Sequence, residues 1–387
     1  MNCRVCNAEC KKFLDLGWQP IANNFLTHEQ LANEFFYHLQ AYFCPGCFTV
    51  QIGDCPDSSQ VFNKDYAFFT GTSAGMIKHF ADLADLIKTK YMPENGCIME
   101  IGSNDGTFLE HFTDNVHLGF DPSDSVNKVA MTKGVRVYPY PFEDFGDAST
   151  AWPKTDVFVS CNAFAHIQDR NGVLSVIKKM LAINGVWIDE EPYLGNIINS
   201  LEYDQFYNEH IFYSSMASMH KTLDMFDLEI FEFDHTWTHG GSIRYFIRHK
   251  GRCVVSHKVT EAIESEGFDN YEAFEVFGQA VKGQINRFKK RLSALKGPVM
   301  GYAASAKSTT LLNCCNIGPN VIEKIYDTTP EKQGKLSPGM HIPIVPYEQF
   351  KEDNPSDVVL FVCNHFKEVM AKEAGVERNW IIPNGSL

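Results

Sequence analysis

Met99-Glu100-Ile101-Gly102-Ser103-Asn104-Asp105-Gly106 is the stretch from which the fold can be read. Cys97–Ile101 reads as a short apolar strand, the glycines punctuate a tight turn, and Thr107–Phe112 reads as the start of a helix. Outward from it, strand and helix signals alternate. A helical face of Ile77, Phe80, Ala84 and Ile87 precedes the loop, and a strand at His117–Phe120 follows. Further on come a strand at Asp156–Cys161, a helix at Val173–Leu181 and a strand at Val186–Asp189. Strands separated by helices pair in parallel, so the central region is expected to be a doubly wound, Rossmann-like α/β sheet.

After His249 the pattern changes. Phe274, Phe277, Val281, Ile285, Phe288, Leu292 and Leu295 recur every three or four residues within 267–296, which predicts one long amphipathic helix. Gly297-Pro298 ends it, and strands near Pro298–Ala303, Val321–Tyr326 and Val358–Cys363 open a second α/β unit. The first 58 residues show little regular periodicity. We therefore expect a small module at 1–58, a nucleotide-type domain at 59–255 and a second α/β domain at 256–387.

Cys3/Cys6 and Cys44/Cys47 are two Cys-x-x-Cys knuckles, the pattern that brings four thiolates onto one tetrahedral zinc ion. The 37 residues between the pairs predict an inserted element. Cys10 and Cys55 are alternative members of the set. With no open coordination position the ion is structural. Six of the twelve cysteines fall before residue 60 and the rest lie in apolar segments, which points to reduced thiols and one metal site rather than a disulfide scaffold.

The balance of 34 Lys and Arg against 48 Asp and Glu leaves a net charge of −14, which argues against a nucleic-acid partner. No apolar run approaches the ~18 residues of a membrane helix. The opening Met-Asn-Cys-Arg lacks a basic region followed by an apolar stretch, so no signal peptide is expected and the protein is expected in the cytoplasm.

The loop itself narrows the ligand. Gly102 and Gly106 are four apart, so the dinucleotide fingerprint G-x-G-x-x-G is missing, and the acidic residues in the loop would repel a pyrophosphate. The loop suits a ligand with a cationic centre, such as S-adenosylmethionine. Asp121, 19 residues beyond Gly102 at the end of the next strand, is placed to accept from ribose hydroxyls.

Several ordered blocks resemble one family almost end to end, the S-adenosylmethionine-dependent sugar C-3′-methyltransferases that act on nucleotide-linked 4-keto-deoxy sugars. They are the cysteine module, Glu100–Leu109, Asn162–Ile167, Glu191–Gly195, Asp204–His210, His239–Tyr245, Gly301–Thr310 and Tyr326–Pro343. The resemblance implies a zinc-binding N-terminal domain, a central methyl-donor domain and a C-terminal domain that helps to hold the nucleotide-sugar. It places Gly102, Asn104, Asp105, Gly106, Asp121 and Asn162 around the methyl donor.

Methylating a sugar carbon requires a proton to leave it first, made feasible by a neighbouring ketone, so the site needs a general base and groups that tolerate an oxyanion. Tyr207-Asn208-Glu209-His210 offers such parts. His210 has a reference pKa of ~6.5, suited to proton abstraction. If the stretch is helical, Tyr207 and His210 share a face. Glu209 would bind a sugar hydroxyl or adjust the charge around the base. The resemblance implies that the corresponding Tyr, Glu and His act in catalysis, with the His as base, and that His166 joins them near the ketone. It also brings in Tyr66 of Asp65-Tyr66-Ala67-Phe68-Phe69, where Phe68 stands in place of a second tyrosine that family members often carry.

His239-Gly240-Gly241-Ser242-Ile243-Arg244 is a glycine turn entering a strand, with Arg244 available to an anion. Gly301–Ser308 is a small-residue loop without Walker spacing; Ser305 and Lys307 lead a diphosphate clamp there, with Lys332 and His341 as weaker candidates. The expected substrate is a nucleotide-diphosphate sugar, with thymidine diphosphate the family habit. The sequence leaves the oligomeric state open. A methyltransferase of the same fold acting on another carbon, oxygen or nitrogen is the nearest alternative. A sugar oxidoreductase that uses NAD is disfavoured by the missing fingerprint.

Overall fold

The structure, a computed structural model, describes residues 1–56, 69–146 and 152–383. β1 (Lys11–Pro20), β2 (Phe36–Phe43) and β3 (Val50–Ile52) pair antiparallel. Helix Ala74–Lys90 then leads into β4 (Cys97–Ile101), β5 (Val116–Phe120), β6 (Val137–Tyr138), β7 (Thr155–Cys161), helix Arg170–Met180 and β8 (Leu181–Pro192). β9 (Phe212–Tyr213) goes back to the N-terminal sheet and pairs with β3. β10 (Leu228–Thr236) and β11 (Ser242–His249) complete a seven-stranded sheet of order β10-β11-β8-β7-β4-β5-β6. β8 to β6 run parallel, and β11 is antiparallel to both of its neighbours.

The expected central α/β sheet is therefore present, with β4 in the middle and its loop at the carboxyl edge, where open sheets bind ligands. Helix Tyr271–Ser293 leads to a third sheet, all parallel: β12 (Val299–Tyr302), β13 (Ile322–Asp327), β14 (Ile344–Pro346), β15 (Asp357–Leu360) and β16 (Asn379–Ile381), in the order β14-β13-β12-β15-β16.

Several local expectations need correction. Only a single 3-10 turn, Leu109–Phe112, stands where a helix was expected to start. Ile77 is exposed, and the buried stripe of its helix runs through His79, Phe80, Leu83, Ala84 and Ile87. The N-terminal region is regular after all: in β2, Tyr37, Leu39, Ala41 and Phe43 alternate inward, a period-two signal that is plain in the sequence. The element inserted between the two knuckles is the β1–β2 pair with a 3-10 turn at His28–Asn33.

One apolar core joins the first and third sheets. Phe274 on the long helix lies 5.2 Å from Phe13 and 4.8 Å from Phe43, ring to ring, and the same cluster continues to Val299 and Ile325. Gly278 permits this approach, since a Cβ there would lie 2.1 Å from the Phe13 carbonyl oxygen. The central sheet packs a separate core on each face.

Candidate active site

The loop after β4 turns because Gly102 and Gly106 take φ of +76° and +73°, and Asn104 takes 48°. Its shape is held from β5: the Gly102 and Ser103 amides donate to the Phe120 carbonyl. Asp121 accepts from the Asn104 amide at 3.1 Å with one oxygen and from the Ser123 amide at 2.8 Å with the other. Each oxygen keeps a further lone pair for a ligand hydroxyl. Burial raises the Asp121 pKa.

Asp105 faces inward. Its oxygens accept from the Gly71 amide at 2.8 Å and the Thr107 hydroxyl at 2.6 Å, so it closes the loop against residues 70 and 71. The Asn104 side chain accepts from the Thr70 amide at 3.0 Å. Glu100 Oε2 and Asn162 Oδ1 are buried acceptors at the carboxyl ends of adjacent strands, and neither has a partner among the described residues. Burial first, then the charges of Asp105 and Asp121, pushes the Glu100 carboxyl far above the usual range. Orphaned acceptors and a crowd of carboxylates fit a ligand that brings N–H and O–H donors and a positive charge.

A Cβ at Gly102 would stand 2.5 Å from Ala163 Cβ, on a backbone that side chains avoid. Gly102→Ala is thus expected to cost about 1–3 kcal/mol of local strain. It should weaken S-adenosylmethionine binding at least about tenfold by calorimetry.

Residues 206–211 form a turn, not a helix, between the 3-10 turn Tyr203–Gln205 and β9. Tyr207 and His210 nevertheless meet: Oη and Nε2 are 3.0 Å apart and the ring centroids 4.5 Å apart. The His166 ring lies 5.0 Å from that of His210, and the Ile211 amide donates to the Ala165 carbonyl at 2.9 Å, docking one segment on the other. Tyr66 and Phe68 lie outside the described residues.

The turn is also pinned by distant segments. Asn208 accepts from the Ala22 amide at 2.8 Å, and Asn23 Nδ2 donates to Glu209 at 2.5 Å. The hydroxyls of Thr309 and Thr310, on helix Ala306–Cys315, donate to the carbonyls of Ala22 and Phe206. All three sheets therefore contribute to the surroundings of His210.

Burial pushes the Glu209 carboxyl up to about 7, against a smaller lowering by Asn23. A raised carboxyl stabilises the fold fully below its unfolded pKa of ~4.3, and that contribution is lost as pH rises through the folded value. Glu209→Gln removes the loss. Its stability relative to the parent, from urea titrations, should improve by on the order of 2–3 kcal/mol between pH 5 and pH 8.

Arg244, the residue expected to be available to an anion, pairs with a carboxylate of the fold. Its Nη2 and Nε reach Glu190 Oε2 at 2.7 and 2.9 Å, while His79 Nε2 and the Thr238 hydroxyl reach Oε1 at 2.8 and 2.9 Å. Burial would raise the Glu190 pKa, but the His79 hydrogen bond and the Arg244 charge outweigh it and hold the carboxyl down at about 2. The guanidinium charge is thus answered inside the fold. Gly240 and Gly241 take φ of +93° and +115°, and the turn packs on Glu202 and Asn196.

Ser305 caps helix Ala306–Cys315 through a reciprocal bond with Ser308, and Lys307 lies half-buried in the first turn. Lys332 donates to the Ala304 carbonyl at 2.8 Å, and His341 pairs with Glu34 at 2.7 Å.

Sequence reasoning missed Asn23, Glu100, His79 and Glu190. Two of them carried a signal: Glu100 is the one polar residue of an apolar strand, and Asp189-Glu190-Glu191 puts three carboxylates in succession into another.

The sulfurs of Cys3, Cys6, Cys44 and Cys47 all lie within 4.8 Å of one another, with 3.6 Å between Cys3 and Cys47 and 3.3 Å between Cys6 and Cys44. A tetrahedron of ~2.3 Å Zn–S bonds has edges of ~3.8 Å, so the four fit zinc. Cys10 and Cys55 instead accept from Gln51 at 3.1 Å and Arg4 at 3.2 Å.

Comparisons with known proteins agree with this arrangement. Residues 3–62 match a family model described as "Putative zinc binding domain", and residues 237–383 match the C-methyltransferase C-terminal domain. The chain is 29% identical to the C-methyltransferase NovU of Streptomyces niveus over 388 residues, covering 96% of this chain and 91% of that one. Among solved structures, an S-adenosylmethionine-dependent methyltransferase from Clostridium acetobutylicum shows 13% identity and a TM-score of 0.37, over 45% of this chain and 92% of that one. Magnesium protoporphyrin IX methyltransferase from Synechocystis shows 12% and 0.36, over 45% and 84%. No helix among the described residues is long and apolar enough to cross a membrane. The cofactors are S-adenosylmethionine and a structural zinc ion. Cysteine cluster, both domain models and the likeness to NovU converge: the protein is an S-adenosylmethionine-dependent C-methyltransferase.

Proposed function

We propose that the enzyme methylates C3, the carbon next to the ketone, of a nucleotide-linked 4-keto-deoxy sugar, dTDP-linked and in the cytoplasm. The observation that supports this reading most is the pair of half-buried Tyr207 and buried His210, hydrogen-bonded at 3.0 Å beside the His166 ring. An O- or N-methyltransferase needs no base able to enolise a ketone.

His210 takes the C3 proton onto Nε2. The phenol hydrogen of Tyr207 turns from Nε2 to the developing enolate oxygen as that proton arrives, and the new N–H then donates to the Tyr207 oxygen. His166 lies alongside to bind the ketone. Glu209, with its pKa near neutrality, holds a sugar hydroxyl while adding little negative charge beside the base. Bound S-adenosylmethionine supplies the electrophilic methyl group. Asp121, Glu100 and Asn162 orient the donor, the first through ribose hydroxyls and the other two through N–H groups.

The diphosphate is met by Lys307 and Ser305 at the start of helix Ala306–Cys315, where free amides favour an anion. Arg244, matched by Glu190, orders the cleft floor instead. The test is product NMR after turnover with methyl-labelled S-adenosylmethionine and a panel of nucleotide-4-keto sugars. Label on C3 supports the reading; label on oxygen, nitrogen or another carbon overturns it.

A further inference from the structure

Arg170 opens helix Arg170–Met180 and is only 2% exposed. Its guanidinium carbon lies 4.4 Å from the ring centroid of Phe164 and 4.2 Å from that of Phe212. Phe164 stands two residues before His166, and Phe212 two residues after His210. One planar cation is thus held between the two segments that carry the histidines. Nη2 also donates to the Ser214 hydroxyl at 3.3 Å, beyond Phe212 on the same segment. On the other segment, the Ala165 amide donates to Glu191 Oε1 at 3.0 Å. Arg170 Nε and Glu191 Oε2 are buried with no partner among the described residues.

We infer that Arg170 is a positioning residue, setting the separation and tilt of the His166 and His210 rings through Phe164 and Phe212. The inference rests on the proposed reading of His210 as the base. A guanidinium lies flat against two rings at once, whereas an ammonium is a compact point charge that does not. Arg170→Lys therefore keeps the charge and loses the spacer. Phe212→Leu keeps the guanidinium and removes one ring.

The test uses full-length, zinc-loaded protein carrying carbon-labelled histidine. Ring resonances of His166 and His210, assigned by loss in the Gln variants, are expected to move in Arg170→Lys while those of His117, in β5, stay in place. With a dTDP-linked 4-keto-deoxy sugar, kcat should fall about 100-fold, the scale of an ångström of misplacement, with S-adenosylmethionine affinity held within about twofold. Phe212→Leu should repeat both effects, and it decides the matter if Arg170→Lys does not fold. Unmoved His166 and His210 resonances with parental kcat overturn the inference. So does a general change in which the His117 resonance and cofactor affinity shift together with kcat. His210→Gln is run in parallel: if it turns over normally, the base reading fails, and Arg170 is judged on the ring resonances alone.

Discussion

His210→Gln is expected to lose turnover by a factor of about 10²–10⁴, the usual contribution of a positioned general base, while binding S-adenosylmethionine as before. The separation of the two effects follows from the structure. The donor loop is held by Phe120, Asp121, Thr70 and Gly71, whereas His210 sits on a turn held by Ala22, Asn23, Ala165 and Thr310. Proton removal is an event in its own right and can be watched without methyl transfer. Incubating the parent with a nucleotide-4-keto sugar in deuterated water should wash deuterium into the carbon beside the ketone. The His210 variant should not do so. Tyr207→Phe should fall in between, losing about 10–100-fold in kcat, because it deletes the hydrogen bond to the protonated ring and the one offered to the enolate oxygen but leaves the base in place. Exchange that continues in His210→Gln would remove this histidine from the chemistry, whatever became of the overall rate.

What the sequence yielded depended on how far apart the partners are in the chain. β4 was readable to the residue, since Cys97–Ile101 is a run of apolar side chains bounded by turn signals, with only Glu100 polar. The glycines of the next loop and the two cysteine knuckles are equally local. The long helix showed itself through its repeating aromatic stripe, although Ile77 misled the reading of an earlier helix: an apolar residue near a helix start need not face inward. Pairings were not readable. Asn23 and Glu209 are 186 positions apart, and so are Ala22 and Asn208. An arginine in a strand looks the same whether or not a buried glutamate lies against it, so the pairing of Arg244 with Glu190, 54 positions away, was not legible. The Tyr207–His210 contact survived an incorrect local expectation, because a tight turn can bring residues three apart together as well as a helix can.

A zinc ion on the four cysteines takes no part in the proton transfer, yet its removal should have the larger effect on the molecule. Chelation, or Cys44→Ser, is expected to lower Tm sharply and abolish turnover. Apparent zinc affinities of four-ligand folding sites reach about 10–16 kcal/mol, as large as the whole stability of an ordinary domain. Without the ion, four sulfurs only 3.3–4.8 Å apart must stay protonated or repel one another. The knuckles flank β1 and β3, so releasing them loosens the sheet to which β9 belongs. β9 begins two residues after His210, and the segment after β1 supplies Ala22 and Asn23, which anchor Asn208 and Glu209. The loss should therefore travel by a fixed route, through the N-terminal sheet to the catalytic turn, and reach the donor loop after β4 last. Partial chelation followed by calorimetry, elemental analysis and parallel assays should show turnover falling in step with bound zinc while S-adenosylmethionine affinity persists longer. A zinc-free protein with parental Tm and full turnover would break that route at its first step. Simultaneous loss of cofactor binding would mean that the central sheet depends on the metal directly.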